Sequence, residues 1–382
     1  MFDSRVSIVL DREGLDGDVL GLLGRVEVRE SDMEPSVCAL RFHLRQQENG
    51  EFHPIDGGIF AEAMPLGVSL AAPGGNPVPL FNGFITHVRP HFEGIESNCY
   101  LEILAMDGAT ILDAHERVAT YPDATDSDAF LAVLGRYDGF TGKADATSAR
   151  NHEDTHLLVQ RGSDWRFVTM LARRNGFRCY FEHDEQTSED VCHFVKPTLE
   201  DPPQADLTIL REGANLVWLD LQHVMTGPVR HVGVGVDPIR KILIEAGGQR
   251  NRDPMGDGMA ADLIERALAA AGADGAVGLL RDPAPVEAIL TAAGTAESDA
   301  DAMVIEARGE LDPALYRGLL RARRPVLLKG VGRTYAGVYW VRAVRTTLAE
   351  GRLSQTFIAE RNAVGLTGRE EFGQSAEEVP PE

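Results

Sequence analysis

Hydrophobic residues recur at every second position through long stretches of this chain, and that period constrains its fold more than any other feature. Val6, Ile8 and Leu10 alternate with polar neighbours, as do Val26 and Val28, then Leu40, Phe42 and Leu44, then Leu66, Val68 and Leu70. Successive side chains of a strand point to opposite faces, so the pattern predicts strands with one buried face. Such strands stack into sandwiches or curl into barrels. Pro73-Gly74-Gly75-Asn76-Pro77 is a turn cluster, and a further strand pair runs over Phe84 to Val88 and Leu101 to Ala105. These segments define a first β-barrel domain, residues 1–115.

From Asp126 the period changes. Phe130, Leu131 and Leu134 suit one face of a short helix that ends at Gly135 or Gly139. Between Leu157 and Val195 a short strand leads into Ser163, a candidate N-cap, with Asp164 at the positive end of the next helix. Phe167, Val168, Leu171 and Ala172 face the core of that helix, and Gly176 stops it in a left-handed conformation. Phe177, Cys179 and Phe181 return to strand period before an acidic hairpin, Asp184 to Asp190. This α/β domain spans 116–204 and ends in a proline-rich linker.

Strand patterns return at Leu207 and Ile209, Leu216 to Leu221, Val232 to Val236 and Ile242 to Ile244, then at Val326 to Leu328, Val338 to Val344 and Leu353 to Ala359. They predict a second β-barrel domain over 205–250 and 312–365. Residues 251–311 are rich in alanine, with Leu263, Ala267, Leu268 and Ala271 at helical spacing, and read as a helical insertion. Residues 366–382 form an acidic tail. The fold class is thus mainly β with α+β parts. Gly83 opens a strand whose partner closes at Asp107, and Gly337 one whose partner closes at Glu360, separations of 24 and 23 residues. A duplicated chain that trimerises would display six similar barrels around one axis.

Composition removes several function classes. Thirty-seven Lys and Arg against fifty-nine Asp and Glu leave a net charge of -22, which disfavours binding to a phosphate backbone. The dense basic run, with Arg317, Arg321, Arg323, Arg324 and Lys329, is interleaved with leucines rather than stacking aromatics and reads as a solvated or interface face. Cys38, Cys99, Cys179 and Cys192 are far apart and read as buried free thiols. No stretch approaches the eighteen apolar residues of a membrane span, and Met1 to Leu10 has no signal-peptide pattern, so synthesis in the cytoplasm is expected.

His152-Glu153-Asp154-Thr155-His156 is a literal H-E-x-x-H, which on a helix would place His152 and His156 on one zinc ion with Glu153 as general base. Its polar surroundings and the strand that follows predict a loop instead, leaving a zinc metallopeptidase as an alternative reading only. Asp253-Pro254-Met255-Gly256-Asp257-Gly258 lacks EF-hand spacing and reads as a solvated loop. Neither catalytic residues, metal nor cofactor are expected. Trp165, Trp218 and Trp340, the encouragement for a further alternative, a carbohydrate-binding protein or other β-rich tail adapter, are expected in cores.

Gln160-Arg161-Gly162-Ser163-Asp164-Trp165-Arg166-Phe167, with Leu171-Ala172 and Asn175-Gly176-Phe177, resembles a signature of phage late control protein D and the VgrG spike proteins of type VI secretion. Glu310 to Tyr316, Gly330-Val331-Gly332, Gly337-Val338-Tyr339-Trp340-Val341 and Glu360-Arg361-Asn362 are similar to the C-terminal barrel of the same hub family in contractile injection systems. The resemblance implies two tube-like β-barrel domains and a non-enzymatic baseplate hub that trimerises. Its implied partners are a spike protein, an Hcp-like inner tube protein and other baseplate proteins, within a phage-tail-like particle. The motif residues it singles out are Gln160, Ser163, Asp164, Phe167, Leu171, Gly176, Gly337, Tyr339, Arg361 and Asn362. The chain ends soon after the second barrel, so the resemblance implies a spike on a separate chain.

Overall fold

A computed structural model describes residues 5–184, 187, 189–199, 203–224, 230–273, 277–281, 284–316 and 318–368. The acidic tail from residue 369 onward, Arg317 and part of the acidic hairpin tip lie outside the described residues. In the first third, the alternating segments form β1 (Val6–Leu10), β2 (Leu23–Ser31), β3 (Val37–His43), β4 (Pro65–Leu70), β5 (Val78–His91) and β6 (Tyr100–Met106). They pair side by side in the order β2-β3-β6-β5-β4-β1. Their inward residues, including Val28, Leu40, Phe42, Leu66, Leu101 and Ile103, make one core.

The middle of the chain supplies β7 (Glu116–Tyr121), α1 (Asp126–Leu134), β8 (Phe140–Ala144), β9 (Leu158–Ser163), α2 (Asp164–Arg174), β10 (Arg178–Asp184) and β11 (Glu189–Val195). A three-stranded sheet, β8-β11-β10, and the β7–β9 pair enclose the helices around Phe130, Phe167, Leu171, Phe181 and Phe194. The strand, helix and hairpin read from residues 157–195 are present, with Ser163 as the N-cap of α2 and Gly176 at φ +69° after it.

The last part of the chain supplies, besides short turns of helix and two-residue strands, β12 (Gln204–Thr208), β13 (Leu216–His223), β14 (Arg230–Val236), β15 (Leu243–Gly248), α3 (Ala260–Ala270), β16 (Val277–Leu279), α4 (Glu287–Asp301), β17 (Ile305–Leu311), β18 (Pro325–Lys329), β19 (Gly337–Ala349) and β20 (Arg352–Arg361). Six of them repeat the first β module. In chain order β12, β13, β17, β18, β19 and β20 take the places of β1 to β6, and they pair in the matching order β13-β17-β20-β19-β18-β12. Even a detail recurs: β5 bulges between Ile85 and His87 against β6, and β19 bulges between Val341 and Ala343 against β20. One difference is that β12 runs parallel to β18 where β1 runs antiparallel to β4.

The ladder corrects the register read from the glycines. Phe84 faces Met106 as Trp340 faces Glu360, so Gly83 corresponds to Tyr339 rather than Gly337, and Asp107 to Arg361 rather than Glu360. The two glycines answer different local needs. At Gly83 a Cβ would lie 2.2 Å from the Met106 carbonyl oxygen, whereas Gly337 has φ +132°.

The insertion also differs from its sequence reading at both ends. β14, β15 and β16 form a separate sheet, in the order β15-β14-β16, so Val232–Val236 and Ile242–Ile244 are not strands of the second β module. Conversely Ile305–Leu311, assigned to the insertion, is a ladder strand between β13 and β20. Alternation marks a strand but not its partner, which explains both errors. The inserted segment, between β13 and β17, occupies the position of the short β2–β3 connection in the first module. Its glycines let α4 approach the sheet closely: a Cβ at Gly248 would lie 1.8 Å from the Thr295 nitrogen.

β19 has a third partner besides β18 and β20. Beyond its bulge it pairs antiparallel with β2, from Ala343 opposite Ser31 to Ala349 opposite Arg25. This junction joins both modules into one thirteen-stranded sheet, which includes a two-residue strand at Glu13–Gly14. Leu348 of β19 thereby enters the first core, while Leu207, Ile305, Val326, Tyr339, Val341 and Phe357 belong to the second. Trp165 and Trp340 are buried, but Trp218, expected in a core, is 44% exposed on β13, at the edge of the sheet.

Candidate functional site

The residues singled out by resemblance gather into two buried polar clusters. In the first, Ser163 closes β9 and caps α2, its Oγ accepting from the Arg166 N–H at 3.3 Å and donating to Asp113. Asp164 follows, fully buried. A buried carboxylate costs several kcal/mol unless it is paired, on the order of the Born penalty left after relaxation. Here it accepts from Arg117 Nε at 3.1 Å, Arg136 Nη1 at 2.8 Å, the Tyr137 hydroxyl at 2.6 Å and Gln160 Nε2 at 2.5 Å. Gln160 in turn accepts from the Tyr121 hydroxyl at 2.7 Å, and Phe167 stacks on the Tyr121 ring with centroids 5.1 Å apart. Burial and the Asp164 carboxylate push the Tyr137 hydroxyl above its ordinary range, so it remains a donor at neutral pH. Leu171 is buried below, and Gly176 passes against Ala296 of α4.

The second cluster ends β20. Arg361 is fully buried and donates to three main-chain carbonyls: Met255 at 2.7 Å from Nη2, Ala336 at 2.6 Å from Nη1, and Gly365. Its guanidinium lies 5.5 Å from the centre of the Tyr339 ring, whose hydroxyl donates to the Tyr335 carbonyl. A Cβ at Gly337 would sit 2.6 Å from Nη2, so only glycine leaves room for the guanidinium. Asn362 accepts from the Met255 N–H at 2.9 Å and donates to the Asp253 carbonyl at 3.0 Å. The Asp253–Gly258 loop, read as solvated, is therefore docked, with Met255 buried at its centre. This cluster fastens the insertion to the second β module.

A third cluster was missed in the sequence. Arg323 and Arg321, read as part of a solvated or interface face, lie at a junction inside the molecule. Arg323 is buried and donates to the Ser31 carbonyl, the Phe181 carbonyl and Ser36 Oγ, with its guanidinium 4.3 Å from the Tyr180 ring centre. Arg321 pairs with Glu30 at 2.9 Å, and Arg178 with Asp32 at 2.7 Å. Asp107 accepts from the Ser36 N–H at 2.6 Å and the Ala109 N–H at 3.1 Å. These contacts tie both β modules to the α/β module. The available signal was charge at the ends of inward-facing strand patterns, as at Glu30 and Asp107.

Burial pushes the Asp107 carboxyl up to about 6, despite its hydrogen bonds and Arg323. The native state thus holds this proton to higher pH than the unfolded chain does. Its stabilisation is complete below about pH 4 and is lost as pH rises through 6, about 3 kcal/mol in all. His193, pushed down to about 4 by burial, opposes it: its contribution is present above the ordinary histidine value and lost as pH falls towards 4. Comparing Asp107→Asn with the parent isolates the first slope. By denaturant unfolding, the parent's advantage over the variant should shrink by about 3 kcal/mol between pH 4 and 7. A constant difference would show that Asp107 does not titrate there.

The H-E-x-x-H segment lies in a turn before β9, not on a helix. His152 is exposed and faces Asp123 at 3.2 Å, while burial, then Arg174, pushes His156 below its ordinary range. Among the described residues no group of three His, Cys, Asp or Glu side chains could hold a metal ion. Cys38, Cys99, Cys179 and Cys192 are free and buried.

No family model and no curated protein matches this chain. Solved structures do. A tail protein from Neisseria meningitidis superimposes with a TM-score of 0.62 at 11% identity, over 94% of this chain and 97% of that one. A 43 kDa tail protein of a Shewanella oneidensis prophage gives 0.62 at 10%, over 94% and 99%. A type VI secretion component of E. coli, described as similar to T4 bacteriophage tail proteins, gives 0.52 at 13%, over 89% and 73%. A chain of a Francisella PdpA-VgrG complex gives 0.55 at 10%; the match covers 94% of this chain and 52% of that one. The chain thus has the fold of phage tail proteins and of their VgrG-like counterparts in type VI secretion.

Proposed function

We propose that the protein is the baseplate hub of a contractile phage-tail-like injection particle. It trimerises, joins a three-fold spike to a six-fold Hcp-like inner tube, contacts other baseplate proteins, and initiates the tube. The work is binding rather than bond chemistry. The observation that carries this reading is the repeat of six strands, bulge included, in two modules fused edge to edge. Three such chains present six similar units around an axis, which matches a six-fold ring above and a three-fold spike below. The buried clusters serve the same end, because they hold the two modules, the α/β module and the insertion in fixed relation. The likeness to tail proteins over almost the whole chain supports the reading. The protein would be made in the bacterial cytoplasm and act within the assembled particle. Mass measurement of the purified chain, alone and with its spike and tube proteins, tests this. The expected species has three times the 41.5 kDa chain mass and captures tube or spike. A monomer under all these conditions would overturn the hub reading.

A further inference from the structure

Apart from the three buried clusters, the molecule holds an open cavity of about 460 Å³, a volume that suits a small organic group. It lies where the α/β module, the linker after β11, the insertion and the second β module meet. Its apolar lining is the buried Trp340 with Leu199 and Met303, which pack in one cluster. Two cations, Arg252 and Lys196, and two exposed carboxylates, Asp145 and Asp253, complete it. The main chain around it is held in place: Asp299 of α4 accepts from the Asn251 N–H at 2.8 Å and the Arg252 N–H at 3.1 Å, and Asp145 accepts from the Lys196 N–H at 2.8 Å. Arg252 is the unexplained group. Nearby Arg178 is already matched, with Asp32 at 2.7 Å and Glu360 at 4.0 Å. The Arg252 guanidinium is mostly buried, yet among the described residues it makes neither a hydrogen bond nor an ion pair. Burial, then Arg178, pushes it below its ordinary range. Desolvating a guanidinium without giving it a partner is costly, and this one borders a cavity.

We propose that this cavity binds the C-terminal end of a partner polypeptide, with the terminal carboxylate on Arg252 and Lys196 and the last, apolar side chain against Trp340, Leu199 and Met303. A guanidinium takes a carboxylate through paired N–H donors, and a lysine adds a point charge. Asp145 and Asp253 decide between anions. A phosphate dianion would meet two like charges, whereas a single carboxylate can stay on the cationic side. The Asp253 carboxylate and the second oxygen of Asp145 have no hydrogen-bond partner among the described residues, so they are free to accept from peptide N–H groups. The ligand must therefore bring one negative charge, N–H donors close behind it and a small apolar group. A chain end with a leucine-like last residue has all three. Filling the cavity would bridge the insertion and the α/β module. This goes beyond the hub reading and does not depend on it.

The probe is acetyl-Gly-Leu with a free carboxylate, titrated calorimetrically into the full chain. It should bind, and acetyl-Gly-Leu-amide should bind roughly tenfold more weakly, because the charged donors lose their ionised acceptor. Isovalerate, a free carboxylate without peptide N–H groups, should also bind more weakly, and inorganic phosphate should not compete. Arg252→Gln should abolish binding, and Lys196→Gln, at an exposed position, should weaken it several-fold. Stability separates a ligand site from a structural role. Because Arg252 has no partner to lose, Arg252→Gln should unfold at the parent's temperature or above it, and the probe should raise the melting temperature of the parent but not of this variant. Acid and amide binding equally, competition by phosphate, unchanged binding by Arg252→Gln, a destabilised Arg252→Gln, or no binding of acetyl-Gly-Leu at millimolar concentration would each overturn the site. Isovalerate binding as tightly as the peptide would assign the cavity to small free carboxylates and overturn the chain-end reading. None of these readouts depends on oligomeric state, so their failure would leave the hub reading standing.

Discussion

Replacing Asp164 by alanine should destabilise the α/β module by about 3–5 kcal/mol, because it leaves two guanidiniums and two neutral donors aimed at an empty site. The carboxylate accepts from Arg117, Arg136, Tyr137 and Gln160 at once. It also begins α2, where negative charge favours the helix end. Amide hydrogen exchange over Asp164–Arg174 reads this locally: protection should fall by roughly two to three powers of ten or more. Asp164→Asn keeps the shape but turns an N–H₂ towards donors, so it should fall between parent and alanine variant. A loss below about 1 kcal/mol for alanine would mean that water or a neighbouring carboxylate takes over the site.

This cluster was legible in the sequence only in part. Ser163, Asp164, Phe167, Leu171 and Gly176 lie within one helix and its caps, so local rules give each a role. Gln160 is also near in sequence and donates to Asp164 four residues on, but the hydroxyl it accepts from is that of Tyr121, across the β7–β9 pair. Strands were legible for the same reason, since alternation is local. What failed was everything that depends on which strand meets which. β14 and β15 read as strands just as β18 does, yet they sit in a different sheet. Arg323 looked solvated because its neighbours in sequence are charged, whereas its contacts are Ser31, Ser36 and Phe181. Trp218 looked buried because it lies in an apolar run, yet it stands on an edge strand that, among the described residues, pairs on one side only.

Arg361 shows the same limit most sharply, and it gives the second large effect. Arg361→Ala should cost about 3–5 kcal/mol: it removes a large buried side chain and the charged donors of three carbonyls. The Met255 carbonyl lies 106 residues earlier in the chain, so no local rule could have found the contact. That separation also predicts how the damage spreads. Met255 anchors the loop leading into α3, and its release should loosen the insertion before the second β module unfolds. Limited proteolysis should then cut first within residues 249–259, while hydrogen exchange in α2 changes little. Arg361→Lys keeps the charge but lacks the planar fork that serves several carbonyls at once, so it should retain only part of the protection. Asp164 and Arg361 share no hydrogen-bond partner among the described residues, so their losses should add to within about 0.5 kcal/mol in the double variant. A larger coupling would mean that the insertion and the α/β module, which touch where Gly176 passes Ala296, unfold as one unit.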